Sequence, residues 1–150
     1  MGELASPIDV IVVSYQYSRW LPACLDGIAR QTLAPRRVLV SDDQSPGEEG
    51  QRFRELAARF PWADFVQNER NLGAVAHMRL RVGQAEATYY LLLSADDALI
   101  DPDFLRDAVA YLDANPDVVA AFGYFQQVDA DGQVIKPASV AARDTWTRWP

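Results

Sequence analysis

Four short apolar stretches alternate with segments whose apolar residues recur at helical spacing, and this alternation restricts the folds open to the chain. Ile8 to Ser14 (IDVIVVS) is a β-branched run, as expected for a strand buried on both faces. Leu21, Leu25 and Ile28 then mark a helix running up to Gln31. Val38 to Ser41 is a second strand, and Ser45-Pro46-Gly47 is a turn. Phe53, Leu56 and Phe60 give the next helix its apolar stripe, which Pro61 ends. Phe65 to Gln67 is a short third strand, and Val75, Met78 and Val82 mark a third helix. Tyr89 to Ser94 (YYLLLS) is the fourth strand. Asp101-Pro102 reads as the start of a fourth helix, with Asp101 as N-cap and buried positions at Phe104, Leu105, Ala108, Val109 and Leu112. Val118 to Val128 reads as a longer strand that turns at Asp131-Gly132 into a hairpin partner, Gln133 to Ile135. Repeated β-α-β order implies a mostly parallel sheet with helices on both faces.

The 150 residues suit a single domain, with no boundary before about Pro137. The net charge of −7 gives no long-range attraction to a nucleic-acid backbone. Cys24 is the one cysteine, so no intramolecular disulfide forms, and its apolar helical setting reads as a buried small side chain. No apolar run approaches the ~20 residues that span a bilayer. Met1 to Pro7 lacks a basic segment followed by an apolar one, so no signal peptide is read. A cytoplasmic chain is expected, with peripheral membrane attachment left open.

In parallel sheets of this type, ligands bind beyond the carboxyl ends of the strands. Three of the strand ends carry polar clusters: Ser14-Tyr15-Gln16, Ser41-Asp42-Asp43-Gln44-Ser45 and Ser94-Ala95-Asp96-Asp97. Crowded carboxylates stay ionised most easily when donors or a cation sit between them. A hard divalent ion, Mg²⁺ or Mn²⁺, is the natural partner of carboxylates plus diphosphate oxygens. It would neutralise charge building on a departing nucleotide diphosphate. The plainer reading makes either acidic pair a turn or a solvated loop.

Taken in order, these segments resemble family 2 glycosyltransferases of the GT-A fold, a Rossmann-like α/β/α sandwich. The likeness runs from about Ile8 to Ile135 and rests on Gln31-Thr32, Asp42-Asp43-Gln44-Ser45, Asn68-Glu69-Arg70-Asn71-Leu72-Gly73 and Leu93-Ser94-Ala95-Asp96-Asp97. The resemblance implies a nucleotide-sugar donor, a glycan or lipid-linked acceptor hydroxyl, and transfer with inversion in polysaccharide or lipid-linked glycan synthesis. It implies that Ser14 and Tyr15 border the base and ribose, and that Asp43 accepts a hydrogen bond from the base, usually uracil. Asp96 would face ribose or metal, and Asp97 would be the metal ligand. Arg70, Arg79 and Arg81 lie near the segment where the family often places a basic residue, and the resemblance does not choose among them. The chain departs from the family pattern at Gln16, where Asn is usual, at Gln44, where Gly is usual, and at Ser94, where many members have an acid. His77, the one histidine, reads as a surface or packing residue rather than a diphosphate contact.

Inverting transfer needs a base to deprotonate the acceptor hydroxyl. Asp129 and Asp131 belong to the hairpin turn and Asp144 to a tail with no matching context, so no catalytic base is assigned. The expectation is one donor-binding domain, truncated before its acceptor-side segment. Three alternatives stand beside it. A non-catalytic nucleotide-sugar-binding module would share the same donor site. A receiver-like signalling domain needs an acidic pair after the first strand, where Ser14-Tyr15 stands. A Rossmann dehydrogenase needs a G-x-G-x-x-G turn, which the first strand lacks.

Overall fold

The computed structural model describes residues 6–130 and 132–136. Four strands form one parallel sheet: β1 (Ile8–Ser14), β2 (Arg37–Asp42), β3 (Asp64–Gln67) and β4 (Tyr89–Ser94), in the order β3-β2-β1-β4. Four helices alternate with them: α1 (Leu21–Ala29), α2 (Gly47–Arg59), α3 (Ala74–Val82) and α4 (Phe104–Ala114). The chain winds outward from β1 to β3 and then crosses to the other side of β1 for β4. A crevice therefore opens at the carboxyl edge, where the winding reverses.

Strand parity separates the two faces of the sheet. Ile8, Val10 and Val12 of β1 and Val38 and Val40 of β2 join one core with Leu21, Leu25 and Ile28 of α1, Phe53 and Leu56 of α2, and Leu105 and Val109 of α4. Ser41 of β2 points to the opposite face and meets α3. The result is an α/β/α sandwich whose α3 layer is the polar one. The expected stripe of α3 is corrected here: its buried residues are His77 and Arg81, while Val75 is 77% exposed. Helical spacing predicts that a face exists, and what that face packs against decides which side is buried.

At the amino edge Asp9 is buried on β1. Its carboxylate takes a two-pronged bond from Arg36 (2.9 and 2.8 Å) and the backbone N–H groups of Glu86 and Ala87 (2.9 and 3.1 Å). Burial pushes this carboxyl up, but the Arg36 bond and the two backbone donors outweigh it and leave the pKa lowered. The cluster ties the loops before β2 and β4 to the first strand.

Several boundaries differ from expectation. Helix α1 ends at Ala29, and Gln31 lies beyond it, buried, bonded to the Asp101 carbonyl at 2.7 Å and to the Leu105 N–H at 2.9 Å. Helix α4 begins at Phe104 rather than after Asp101. Asp103 is its N-cap, and Asp101 accepts the Asp103 N–H at 2.9 Å within a preceding turn. The expected strand over 118–128 is reduced to β5 (Gln127–Val128), paired antiparallel with β6 (Val134–Lys136). Residues 118–126 carry no regular structure, and Val119 and Phe122 are 99% and 83% exposed. An apolar run becomes a strand only where a neighbouring edge takes its hydrogen bonds, and none of the described residues does so here. Asp131, Asp144, Trp146 and Trp149 lie outside the described residues.

Candidate functional site

Ladder bonds bring the four strand ends level. Ser14 pairs with Asp42, Asp42 with Gln67, and Val13 with Ser94. Each strand exit then adds one more backbone bond: Asp43 N–H to the Ser14 carbonyl (2.8 Å), Asn68 N–H to the Asp42 carbonyl (2.9 Å) and Ala95 N–H to the Val13 carbonyl (2.9 Å). The three polar clusters, together with the Asn68–Gly73 loop, therefore line one edge of the sheet.

Asp42 and Asp43 sit side by side and do different work. Asp42 is buried, and its carboxylate accepts the Ser45 hydroxyl (2.6 Å), the Ser45 N–H (2.8 Å) and the Gln67 amide (2.9 Å). Ser45 Oγ in turn accepts the Gln16 N–H at 2.7 Å, which fastens the loop after β1 to the loop after β2. Ser18 donates from both its N–H and its hydroxyl to Glu49 of α2 and closes a second fastening. This makes Asp42 a turn residue, as the plainer reading allowed.

Asp43 is 2% exposed, and its acceptors face the third loop. Oδ1 takes the Asn68 amide (2.7 Å) and the Leu72 N–H (2.9 Å), and Oδ2 takes the Gly73 N–H (2.9 Å). Burial alone would raise this carboxyl. The Leu72, Asn68 and Gly73 donors and the nearby His77 reverse that and leave the pKa lowered, so Asp43 is held ionised. Gly73 adopts φ 80°, which a side chain would strain.

Behind Asp43 lies a polar cluster that single-residue inspection does not find. Arg81 is 5% exposed. It donates from Nε to Ser41 Oγ (2.7 Å), from Nη1 to Gln84 Oε1 (3.1 Å) and from Nη2 to Asn68 Oδ1 of the side-chain amide. Ser41 Oγ also lies 2.7 Å from His77 Nε2. Since Arg81 can only donate, Ser41 Oγ accepts from it, and the Ser41 hydroxyl hydrogen is free to be donated to Nε2 when the His77 ring is neutral. Burial lowers the His77 pKa in the same sense, against the pull of Asp43. Of the three candidate arginines, Arg70 and Arg79 are exposed and Arg81 is buried. His77 is a packing residue at the sheet. The signal was present in the spacing, since 77 and 81 share one helix face.

Ser14 is buried at the end of β1, and among the described residues its hydroxyl has no hydrogen-bond partner. Tyr15 beside it is 41% exposed. Gln16 and Gln44 hold φ 61° and 60°, left-handed values that favour Asn and Gly.

At the end of β4, Asp96 and Asp97 are both exposed. The Ser94 hydroxyl donates to Asp96, and the Asp97 N–H bonds the Ser94 carbonyl at 3.0 Å. Partial burial, then repulsion from Asp96, raises the Asp97 pKa, while a backbone bond at Ser94 opposes the rise. A pair that resists carrying two negative charges suits a cation. Among the described residues no three His, Cys, Asp or Glu side chains gather to hold a metal. An ion here would therefore take two carboxylates at most and fill its sphere with ligand oxygens and water. Cys24 lies beneath this loop, its Sγ 3.9 Å from the Ser94 carbonyl. Burial and then the two aspartates push its thiol up to about 12, so it is inert packing.

A parallel sheet with a polar carboxyl edge of this design defines an α/β domain whose ligand crevice lies beyond the strand ends. The family model for glycosyl transferase family 2 matches residues 9–146, and the chain belongs to that family. It is 26% identical over 139 residues to an uncharacterized glycosyltransferase of Methanocaldococcus jannaschii, covering 91% of this chain and 48% of the relative. It is 29% identical over 110 residues to a PGL/p-HBAD biosynthesis glycosyltransferase of Mycobacterium tuberculosis, covering 73% of this chain and 43% of the relative. The chain thus spans about half the length of these curated relatives. Among solved structures, S. aureus TarS 1-349 in complex with UDP superposes with a TM-score of 0.60 at 27% identity, covering 73% of this chain and 32% of that chain. A mannosyltransferase of Pyrobaculum calidifontis in complex with GDP-Man and Mn2+ gives 0.64 at 26%, covering 75% and 33%. The fold is GT-A. Among the described residues no helix is long and apolar enough to cross a membrane.

Proposed function

We propose that the chain is the donor-binding domain of a glycosyltransferase that moves a sugar from a UDP-sugar to an acceptor hydroxyl with inversion. The observation that carries this reading is Asp43. It is a buried carboxylate held ionised at the carboxyl edge, three of its lone pairs taken by Asn68, Leu72 and Gly73. Such a group suits recognition of a ring N–H on a base. In this reading Ser14 and Tyr15 border the base and ribose, and Asp96 faces the ribose. Asp97 binds Mn²⁺ or Mg²⁺, which when present neutralises the diphosphate leaving group. UDP and GDP-Man in the structural neighbours support a nucleotide-sugar donor, and Mn2+ in one of them supports a divalent ion. The acceptor is a glycan or lipid-linked hydroxyl in cell-surface glycan synthesis, met on the cytoplasmic side of the membrane. The general base belongs to an acceptor-side segment rather than to the donor-binding domain.

Calorimetric titration with UDP, with and without Mn²⁺, tests the reading beside the variant Asp97→Asn. Metal-dependent UDP binding should weaken about tenfold or more in the variant, the scale of one charged ligand contact. Equal affinity for UDP and Mn²⁺ in both proteins would remove Asp97 from the site.

A further inference from the structure

Asp43 is aligned by a second residue, and that residue carries a full charge. A carboxylate offers about four lone-pair sites. Among the described residues, Oδ1 accepts from Asn68 Nδ2 (2.7 Å) and Leu72 N–H (2.9 Å), while Oδ2 accepts from Gly73 N–H (2.9 Å) alone. One acceptor position on Oδ2 is therefore left, and its direction is fixed by the other three bonds. Two of those donors are backbone and cannot turn away. The third is a side-chain amide, whose two ends differ in sign.

Which end of Asn68 faces Asp43 is settled from behind. Arg81 Nη2 donates to Asn68 Oδ1, so the amide must present its NH₂ group to the carboxylate. Arg81 is itself held by Ser41 (2.7 Å) and Gln84 (3.1 Å), and Ser41 by His77 (2.7 Å). Arg81 and Asp43 form no direct ion pair; their charges attract across the gap, and the hydrogen-bonded link that orients the carboxylate runs through the amide. The intact chain is Arg81 to Asn68 to Asp43, buried at every member.

We infer that Arg81 is a positioning residue of the nucleoside site: through Asn68 it aims the one open acceptor of Asp43 at a single ring N–H of the base. This rests on the reading that Asp43 meets the base. It gives that site a stated preference, because one acceptor matches the single imide N–H of uracil. Guanine presents adjacent N1–H and N2–H donors and would leave one of them unpaired.

The test compares UDP with UDP methylated at uracil N3, which lacks that hydrogen, by calorimetry on the full chain with Mn²⁺. The unmodified chain should bind the methylated ligand about tenfold or more weakly, the scale of a hydrogen bond to a charged group. In Arg81→Met the penalty for methylation should shrink towards onefold, with affinity for inorganic pyrophosphate unchanged. Arg81→Lys, which keeps charge but loses the planar fork, should fall between. A merely structural arginine would weaken every ligand alike and leave the methylation penalty intact, and that result overturns the inference. Should Arg81→Met fail to fold, Asn68→Ala removes the link while keeping the cation, and the same loss of discrimination is expected of it. No methylation penalty in the unmodified chain would sink the base-reading role of Asp43 itself, and the relay with it. A penalty present there but unchanged in Asn68→Ala sinks the relay alone.

Discussion

Single residues at the carboxyl edge are shaped as much by backbone as by side-chain chemistry. Gln16 and Gln44 stand at the two positions where the chain departs from the family's usual Asn and Gly, and both adopt left-handed φ values, 61° and 60°. A side chain there crowds the following carbonyl, at a cost of about 1–2 kcal/mol. Glycine relieves this but gains freedom in the unfolded chain. Gln44→Gly should therefore stabilise the protein by about 0.5–1 kcal/mol, read as a rise in the denaturant midpoint at constant m-value. A loss of stability would mean that the Gln44 side chain makes an interaction worth more than the strain. Asp42 and Asp43 show the converse: two identical neighbours are separated in role by where their donors come from, one from its own turn and β3, the other from the Asn68–Gly73 loop.

At the scale of elements, the loop bearing Asp96 and Asp97 is set by the close approach of α1. A Cβ at Gly27 would lie 2.7 Å from the Leu99 carbonyl oxygen and 2.9 Å from its nitrogen, both backbone atoms that cannot rotate away. Gly27→Ala must push the 95–100 loop off α1. We expect a loss of about 1–3 kcal/mol, the range for overpacking. UDP binding that depends on Mn²⁺ should weaken with it, because the two aspartates move with the loop. Unchanged melting and unchanged metal dependence would show that the loop gives way without consequence. Helix α3 makes the complementary point. Its two polar residues, His77 and Arg81, face the sheet because Ser41 and Asn68 offer them partners there.

Over the whole molecule, the buried titratable groups set how stability depends on pH. Burial and then Arg81 lower the His77 pKa from 6.5, and the aspartates oppose this only in part. Below 6.5 the unfolded chain thus takes up a proton that the folded chain refuses, and stability falls as the solution is acidified. Asp9 and Asp43 have folded pKa values below 3.8, so their contribution is full above 3.8 and is lost as pH falls through the folded values. Asp97 runs the other way. Its folded pKa lies above 3.8, so the strain of its charge is relieved by acid or by a bound cation. The melting temperature should be higher at about pH 7.5 than at about pH 5.5, and His77→Gln should flatten that slope. A slope that survives the substitution would assign it to other groups.

The alternation of strands and helices was legible in the sequence because it follows from backbone periodicity and local apolar pattern. The family was legible from the ordered short segments, and the placement of Asp43, Asp96 and Asp97 at one sheet edge followed from strand ends in a parallel sheet. Cys24 as buried packing was equally local. Tertiary structure alone decided what depends on partners far along the chain. It decided that residues 118–126 stay out of the sheet, that α3 buries His77 and Arg81 in place of its apolar stripe, and that Asp42 is a fastening of two loops. It also decided that Arg81, of three candidate arginines, stands buried behind Asn68 and Asp43. The physical reason is the same in each case. A hydrogen bond or a ladder edge is satisfied by a specific atom brought near by folding, and a linear pattern records the need for a partner without recording which partner meets it.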